Sequence, residues 1–109
     1  MKLSEAIQEG SKLRPQAFNA YFDKQNGVLC SCALGAAYEA ALLQTAQEKD
    51  LFDADLSRLS KLFPELYQNV DYPLEEEITM LLCDAITELN DEAKWSRTRI
   101  ADWLAEQGY

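Results

Sequence analysis

The sequence predicts a mainly helical α+β fold, with about four or five helices and a small two-stranded antiparallel hairpin between the first two. Three observations lead to this prediction. Apolar residues recur at helical spacing over most of the chain, and the Asn26-Gly27 pair is a strong hairpin-turn signal. The C-terminal region has the start and stop signals of two helices joined by a turn. The 109 residues are 48% apolar, so residues 1–109 are expected to form a single domain.

The N-terminal third is predicted to contain a helix followed by the hairpin. The helix covers residues 4–12 and is stopped at Pro15, which fixes its own backbone and restricts the residue before it. The first strand is predicted over residues 17–22, where Phe18, Ala20 and Phe22 alternate with Ala17, Asn19 and Tyr21. The chain then turns at Asn26-Gly27 and returns through a second strand at residues 28–30.

Small side chains characterise the second predicted helix, which covers residues 32–47. Its apolar residues recur at helical spacing, while Gly35, Ala36 and Ala40 keep the neighbouring surface small. We therefore expect another helix to pack closely against this one.

Two further helices are predicted in the second half of the chain. A short one covers residues 56–63 and is halted by Pro64. The longer one is predicted to begin near Pro73, where the glutamates at residues 75–77 would complement the positive end of the helix dipole. Its apolar stripe continues for four turns to Leu89, so we expect it to be the central helix of the domain.

The C-terminal region predicts a helix, a turn and a final helix. Ser96 is a natural N-cap, and Trp95 before it is placed to pack on Ile100 as a hydrophobic staple. The final helix then has an apolar face that includes Trp103 and is expected to end near Gly108.

The charge and the absence of histidine exclude several classes of function. The formal net charge is -9, and residues 65–109 contribute most of it, with eleven acidic and three basic side chains. Such a surface repels nucleic acid and anionic membranes. Without histidine, Ser-His-Asp and Cys-His catalysis are excluded, and three cysteines fall short of a tetrahedral zinc site. We therefore predict no metal and no other cofactor.

The cysteine count and the hydropathy pattern predict a cytoplasmic protein that does not enter the membrane. Three cysteines are an odd number, and no signal-peptide core follows Met1, so a disulfide framework is not expected. No apolar run approaches the about 20 residues that a membrane-spanning helix needs.

The sequence favours a non-catalytic, acidic module that binds another protein, as an adaptor or an inhibitor. Its partner is expected to be basic, because the acidic C-terminal half would steer such a protein toward it. The candidate partner-binding residues are Trp103, Tyr109, Arg97, Arg99 and Asp91. A homodimer that buries the aromatic C-terminus is an alternative.

Three other functions stay open. Cys32 is at the predicted start of a helix, where the dipole lowers a thiol pKa, so the protein could be a redox or thiol enzyme with Cys30 as the resolving partner. Lys94, Arg97 and Arg99 border the last helix, where a DNA-reading helix would carry its contacts, although the acidity of this region disfavours nucleic-acid binding. The acidic surface could also mimic nucleic acid.

Two stretches resemble segments of small uncharacterised bacterial and phage proteins. They are C-A-L-G-A-A at residues 32–37, and L-N-D at residues 89–91 followed by W-S-R at 95–97 and I-A-D-W-L at 100–104. The resemblance implies no activity. Similar sequences have a histidine where Ala93 stands here, and some have a C-x-x-C pair before L-N-D. This chain has neither. If those residues bind a metal in the similar sequences, that site is lost here, which favours a structural role for the shared segments.

Overall fold

The computed structural model describes residues 1–43 and 48–109, and for residues 48 and 49 it describes the backbone alone. The described part contains five helices of seven or more residues and two hairpins, which confirms the predicted mainly helical α+β fold. The elements, in chain order, are α1 (Leu3–Ser11), β1 (Phe22–Gln25), β2 (Val28–Ser31), α2 (Ala33–Ala41), the single turn α3 (Glu48–Leu51), α4 (Leu56–Leu62), a 3-10 turn (Pro64–Tyr67), β3 (Asn69–Asp71), β4 (Thr79–Leu81), α5 (Leu82–Asp91) and α6 (Arg97–Glu106).

The close packing predicted for α2 is confirmed, and glycines make it possible on both sides. A Cβ on Gly10 of α1 would lie 1.9 Å from the carbonyl oxygen of Ala36, so only glycine lets the two helices approach this closely. A Cβ on Gly35 would likewise lie 2.1 Å from the carbonyl oxygen of Tyr21. The described helix ends at Ala41, and residues 44–47 of the predicted helix lie outside the described residues.

The first hairpin has the predicted turn but a later first strand. Asn26 and Gly27 both have positive φ, at 52° and 78°, as a two-residue turn of this kind requires, and β1 pairs with β2 in antiparallel register. The strand predicted over residues 17–22 is wrong except for Phe22. The residues before Phe22 bend instead, because the amide of Asn19 and the carbonyl of Tyr21 bond to groups of other elements rather than to a strand.

The helix predicted to begin near Pro73 begins only at Leu82. Residues 69–81 form the second hairpin instead, with β3 antiparallel to β4 and a hydrogen bond from the Tyr72 amide to the Ile78 carbonyl of 2.8 Å. The apolar stripe continues at helical spacing into a region where pairing of the two short strands prevails over helix formation. Leu74, which belongs to that stripe, is therefore 51% exposed.

The predicted cap and end of the final helix are confirmed, while the packing of Trp95 on Ile100 stays a prediction. The side chain of Ser96 accepts a hydrogen bond from the amide of Arg99 at 3.1 Å and caps α6. Gly108, with a φ of 90°, follows the helix and lets the amide of Tyr109 donate to the carbonyl of Leu104. The carbonyl of Tyr109 accepts a hydrogen bond from the amide of Ser4, so the C-terminal residue is hydrogen-bonded to α1.

The helices of the described part include none that combines the length and the apolar character needed to cross a membrane.

Candidate functional site

The thiol of Cys32 is buried at the start of α2 and is 8% exposed. Its Sγ accepts a hydrogen bond from the amide of Gly35 at 3.4 Å, so the residue is the N-cap of the helix. Burial raises the pKa of this thiol to about 11, and the lowering by amide hydrogen bonds at the helix start does not compensate. Cys30 is also buried, with its thiol 3.6 Å from the carbonyl oxygen of Val28.

Alkylation of the Cys32 thiol is expected to be much slower in the folded protein than in the unfolded chain. Because the pKa of Cys32 is raised, very little thiolate is present at neutral pH, and iodoacetamide should label this residue at pH 7.5 only after urea is added. The rate in the folded protein should rise up to about pH 11. Peptide mapping by mass spectrometry separates Cys32 from Cys30 and Cys83, and equal labelling of Cys32 with and without urea would contradict the burial argument.

The raised pKa of Cys32 makes the stability of the fold depend on pH in the alkaline range. The unfolded thiol, with an ordinary pKa of 9.0, loses its proton before the folded thiol does. The contribution of Cys32 to stability is therefore complete below pH 9 and is lost as the pH rises toward about 11.

The guanidinium of Arg97 is buried rather than exposed to a partner. It donates to the carbonyl and hydroxyl oxygens of Ser31 at 3.1 and 3.0 Å. It also donates to the carbonyls of Ser11, Arg14 and Pro15 at 3.2, 2.6 and 3.5 Å. The residue is 8% exposed, and burial lowers its pKa. Arg97 therefore joins α6 to β2 and to the segment after α1.

Asn90, in the shared L-N-D segment, makes a second buried junction. Its Oδ1 accepts from the amide of Ala33 and from Nε2 of Gln16, at 3.1 and 2.9 Å. Its Nδ2 donates to the carbonyl of Ala17 at 3.0 Å and to Oδ1 of Asp91 at 2.7 Å. The L-N-D and W-S-R segments thus contain buried residues that connect distant parts of the chain.

The remaining predicted site residues contact their own chain. Trp103 is buried, and the hydroxyl of half-buried Tyr109 donates to Oε1 of Gln68 at 3.0 Å. The guanidinium of Arg99 lies 3.9 Å from the ring centroid of Trp95, a cation–π arrangement. Among these residues, Arg99 is the exposed one.

The nucleic-acid candidates are divided between the surface and the interior. Nζ of Lys94 lies 4.2 Å from the ring centroid of Phe18, and Lys94 and Arg99 are exposed. Arg97, the third member, is buried. Two of the three basic side chains therefore lie at the surface of an otherwise acidic half of the chain.

An exposed acidic loop connects β3 to β4. We define the acidic loop as residues 72–78, which contain three consecutive glutamates, Glu75, Glu76 and Glu77, between Leu74 and Ile78. Leu74 and Ile78 are 51% and 38% exposed, and all three glutamates are exposed. None of the glutamates is in an ion pair with a described residue.

The hairpin beneath the acidic loop holds its two ends together. The amide of Tyr72 donates to the carbonyl of Ile78 at 2.8 Å, and Asp71 is paired with Thr79 in the register of the two strands. Glu77 has a φ of 63°, which turns the backbone before Ile78. Apolar and anionic groups are therefore presented together on a short loop with fixed ends.

Within the described residues, histidine, cysteine, aspartate and glutamate do not gather into a group of three or more that could hold a metal ion. No protein-family model matches the sequence, and no curated protein or solved structure matches it.

Proposed function

We propose that the protein is a binding module that holds a basic segment of another protein on its acidic loop, and so acts as an adaptor or an inhibitor. One observation carries the proposal. Two aliphatic side chains, Leu74 and Ile78, are exposed on either side of three glutamates that have no cationic partner among the described residues. We place the interaction in the cytoplasm, as the cysteine content of the sequence suggests.

The two kinds of side chain on the acidic loop supply different parts of binding. Burial of Leu74 and Ile78 against a partner removes apolar surface from water, which contributes affinity. The glutamates attract a basic partner, raise its rate of association and disfavour acidic proteins. Because the ends of the loop are already fixed by the hairpin, less conformational freedom is lost on binding.

Charge favours a basic protein over the other candidate partners. A second copy of this chain would bring together two molecules that each have a net charge of -9, and their acidic loops would repel each other. Nucleic acid would meet the same repulsion.

The raised pKa of the Cys32 thiol supports a binding module over a thiol-dependent enzyme, because the reactive thiolate is scarce at neutral pH.

Paired variants test the acidic loop. The tagged chain and a Leu74→Ser/Ile78→Ser variant are used to capture proteins from a lysate of the source cells, and the bound proteins are compared by quantitative mass spectrometry. We expect a basic protein that the unsubstituted chain retains at defined stoichiometry and the double variant loses, since the variant lacks the apolar contacts of the loop.

Val28→Ser is the matched control for this capture. Val28 is 51% exposed, as Leu74 is, but it lies on β2 in the other hairpin. The control should retain the basic protein. A captured protein that binds all three chains equally, or one whose retention does not weaken as salt is added, would contradict the proposal.

A further inference from the structure

A pocket of about 210 Å³ lies between α5, the start of α2 and the bend before β1. We call it the Cys32–Asp91 pocket, since these residues belong to its lining. Tyr21 supplies a half-buried aromatic ring, Ala20 and Thr87 supply exposed methyl groups, and the buried side chains of Leu34 and Ile86 lie beneath them. The pocket is separate from the acidic loop, so a ligand bound there would be independent of the proposed function.

The charge of the pocket comes from one carboxylate. Among the described residues that line it, Asp91 alone carries a charge. Its Oδ1 accepts from the amide of Asn19 at 2.9 Å and from Nδ2 of Asn90 at 2.7 Å, so the carboxylate is held in place. Oδ2 accepts no hydrogen bond from the described residues and is left for an external donor. Asp91 is also the last residue of α5, where the helix dipole is negative.

The donors that an anion would need are already occupied. The start of α2 also borders the pocket, and free helix-start amides bind anions. Here the amide of Ala33 donates to Oδ1 of Asn90 at 3.1 Å, and the amide of Gly35 donates to Sγ of Cys32 at 3.4 Å. Two of these amides are thus satisfied by the protein itself, which leaves the carboxylate of Asp91 as the main determinant of the charge preference.

We propose that the Cys32–Asp91 pocket binds a small organic cation, a primary ammonium carried on an apolar body about as large as one aromatic ring. The ammonium would donate to Asp91, and the ring would pack against Tyr21, Ala20 and the methyl group of Thr87. The size follows from the volume, because a cavity of about 150 Å³ holds benzene, and 210 Å³ leaves room for a short aminoalkyl chain.

The test compares three probes of nearly equal size and different charge on the full chain. Amide shifts of the isotope-labelled protein are followed by NMR during titration with 2-phenylethylammonium, neutral 2-phenylethanol or anionic 3-phenylpropionate. We expect saturable shifts at Ala20, Cys32 and Thr87 with the ammonium, and binding about tenfold weaker with the alcohol and weaker still with the carboxylate.

Two isosteric variants separate the pocket carboxylate from the general negative charge. Asp91→Asn keeps an Oδ1 acceptor for Asn19 and Asn90 but removes the charge, so the preference for the ammonium over the alcohol should disappear. Asp102→Asn makes the same charge change at an exposed position of α6 and should keep the preference.

Three outcomes would overturn the proposal: equal binding of the ammonium and the carboxylate, no saturable shift at the pocket amides with any probe, or an unchanged preference in Asp91→Asn. If Asp91→Asn fails to fold, the ammonium and the alcohol are compared on the unsubstituted chain at low and high salt, since salt screens the general charge of -9 more than a direct contact with Asp91. A preference for the ammonium that disappears in high salt would then overturn the proposal.

Discussion

Replacement of Arg97 by alanine is expected to lower the free energy of unfolding by about 4 kcal/mol, since several buried acceptors lose a charged donor at about 1–3 kcal/mol each. The affected oxygens belong to Ser31, Ser11 and Arg14, and they lie in elements far from α6 in the sequence. The variant should therefore loosen the contact of α6 with β2 and with the end of α1 at the same time. Urea unfolding followed by tryptophan fluorescence measures the change.

Two variants serve as controls for Arg97→Ala. Arg97→Lys keeps the charge but lacks the planar fork of donors, so it should recover only part of the loss. Arg99→Ala removes an exposed arginine from the same helix and should cost about 1 kcal/mol or less, the range of an exposed cation–π contact. An Arg97→Ala variant as stable as Arg99→Ala would mean that the buried network contributes nothing to the fold.

The second large effect is expected at the contact between α1 and α2. Gly10→Ala should destabilise the protein by about 3 kcal/mol or more, because the new Cβ would lie 1.9 Å from the carbonyl oxygen of Ala36, and a backbone atom cannot turn aside. Helix propensity alone predicts the opposite sign, a gain of about 1 kcal/mol when alanine replaces glycine in a helix.

The neighbouring substitution Glu9→Ala is the control for Gly10→Ala. Glu9 is exposed and pairs with Lys12 at 3.0 Å, so its loss should change the stability by about 0.5 kcal/mol or less. Thermal unfolding of the three proteins measures the difference. A Gly10→Ala variant that is more stable than the unsubstituted chain would show that the helices do not meet at this glycine.

Local signals predicted the parts of the fold that depend on neighbouring residues. The Asn26-Gly27 turn and the Ser96 cap are decided within a few residues, and both lie where the sequence indicated. The region before Leu82 could not be predicted in this way. Leu74 and Ile78 continue an apolar period and follow Pro73, as in a helix start, but pairing of β3 with β4 decides the structure there.

The candidate site was predicted less completely than the fold. Sequence patterns place Arg97 and Trp103 correctly on a helix and Trp103 on its apolar face, but they do not show that Arg97 is buried, because its surroundings come from distant segments. The acceptors of Arg97 precede it by 66 to 86 residues. Three hydrogen-bond partners of Asn90 likewise lie 57 to 74 residues before it. The exposure of Leu74 and Ile78 depends in turn on the second hairpin, which no local pattern indicated.

Photo-crosslinking in the source cells tests most directly whether the acidic loop is the binding surface. A photoreactive amino acid is placed at Leu74 in one chain and at Val28 in another, since both positions are 51% exposed. We predict a light-dependent covalent adduct with a basic protein from position 74 and none from position 28. Absence of an adduct at position 74, together with an adduct at position 28 or from the same photoreactive residue placed at Arg99, would contradict the assignment of binding to the acidic loop.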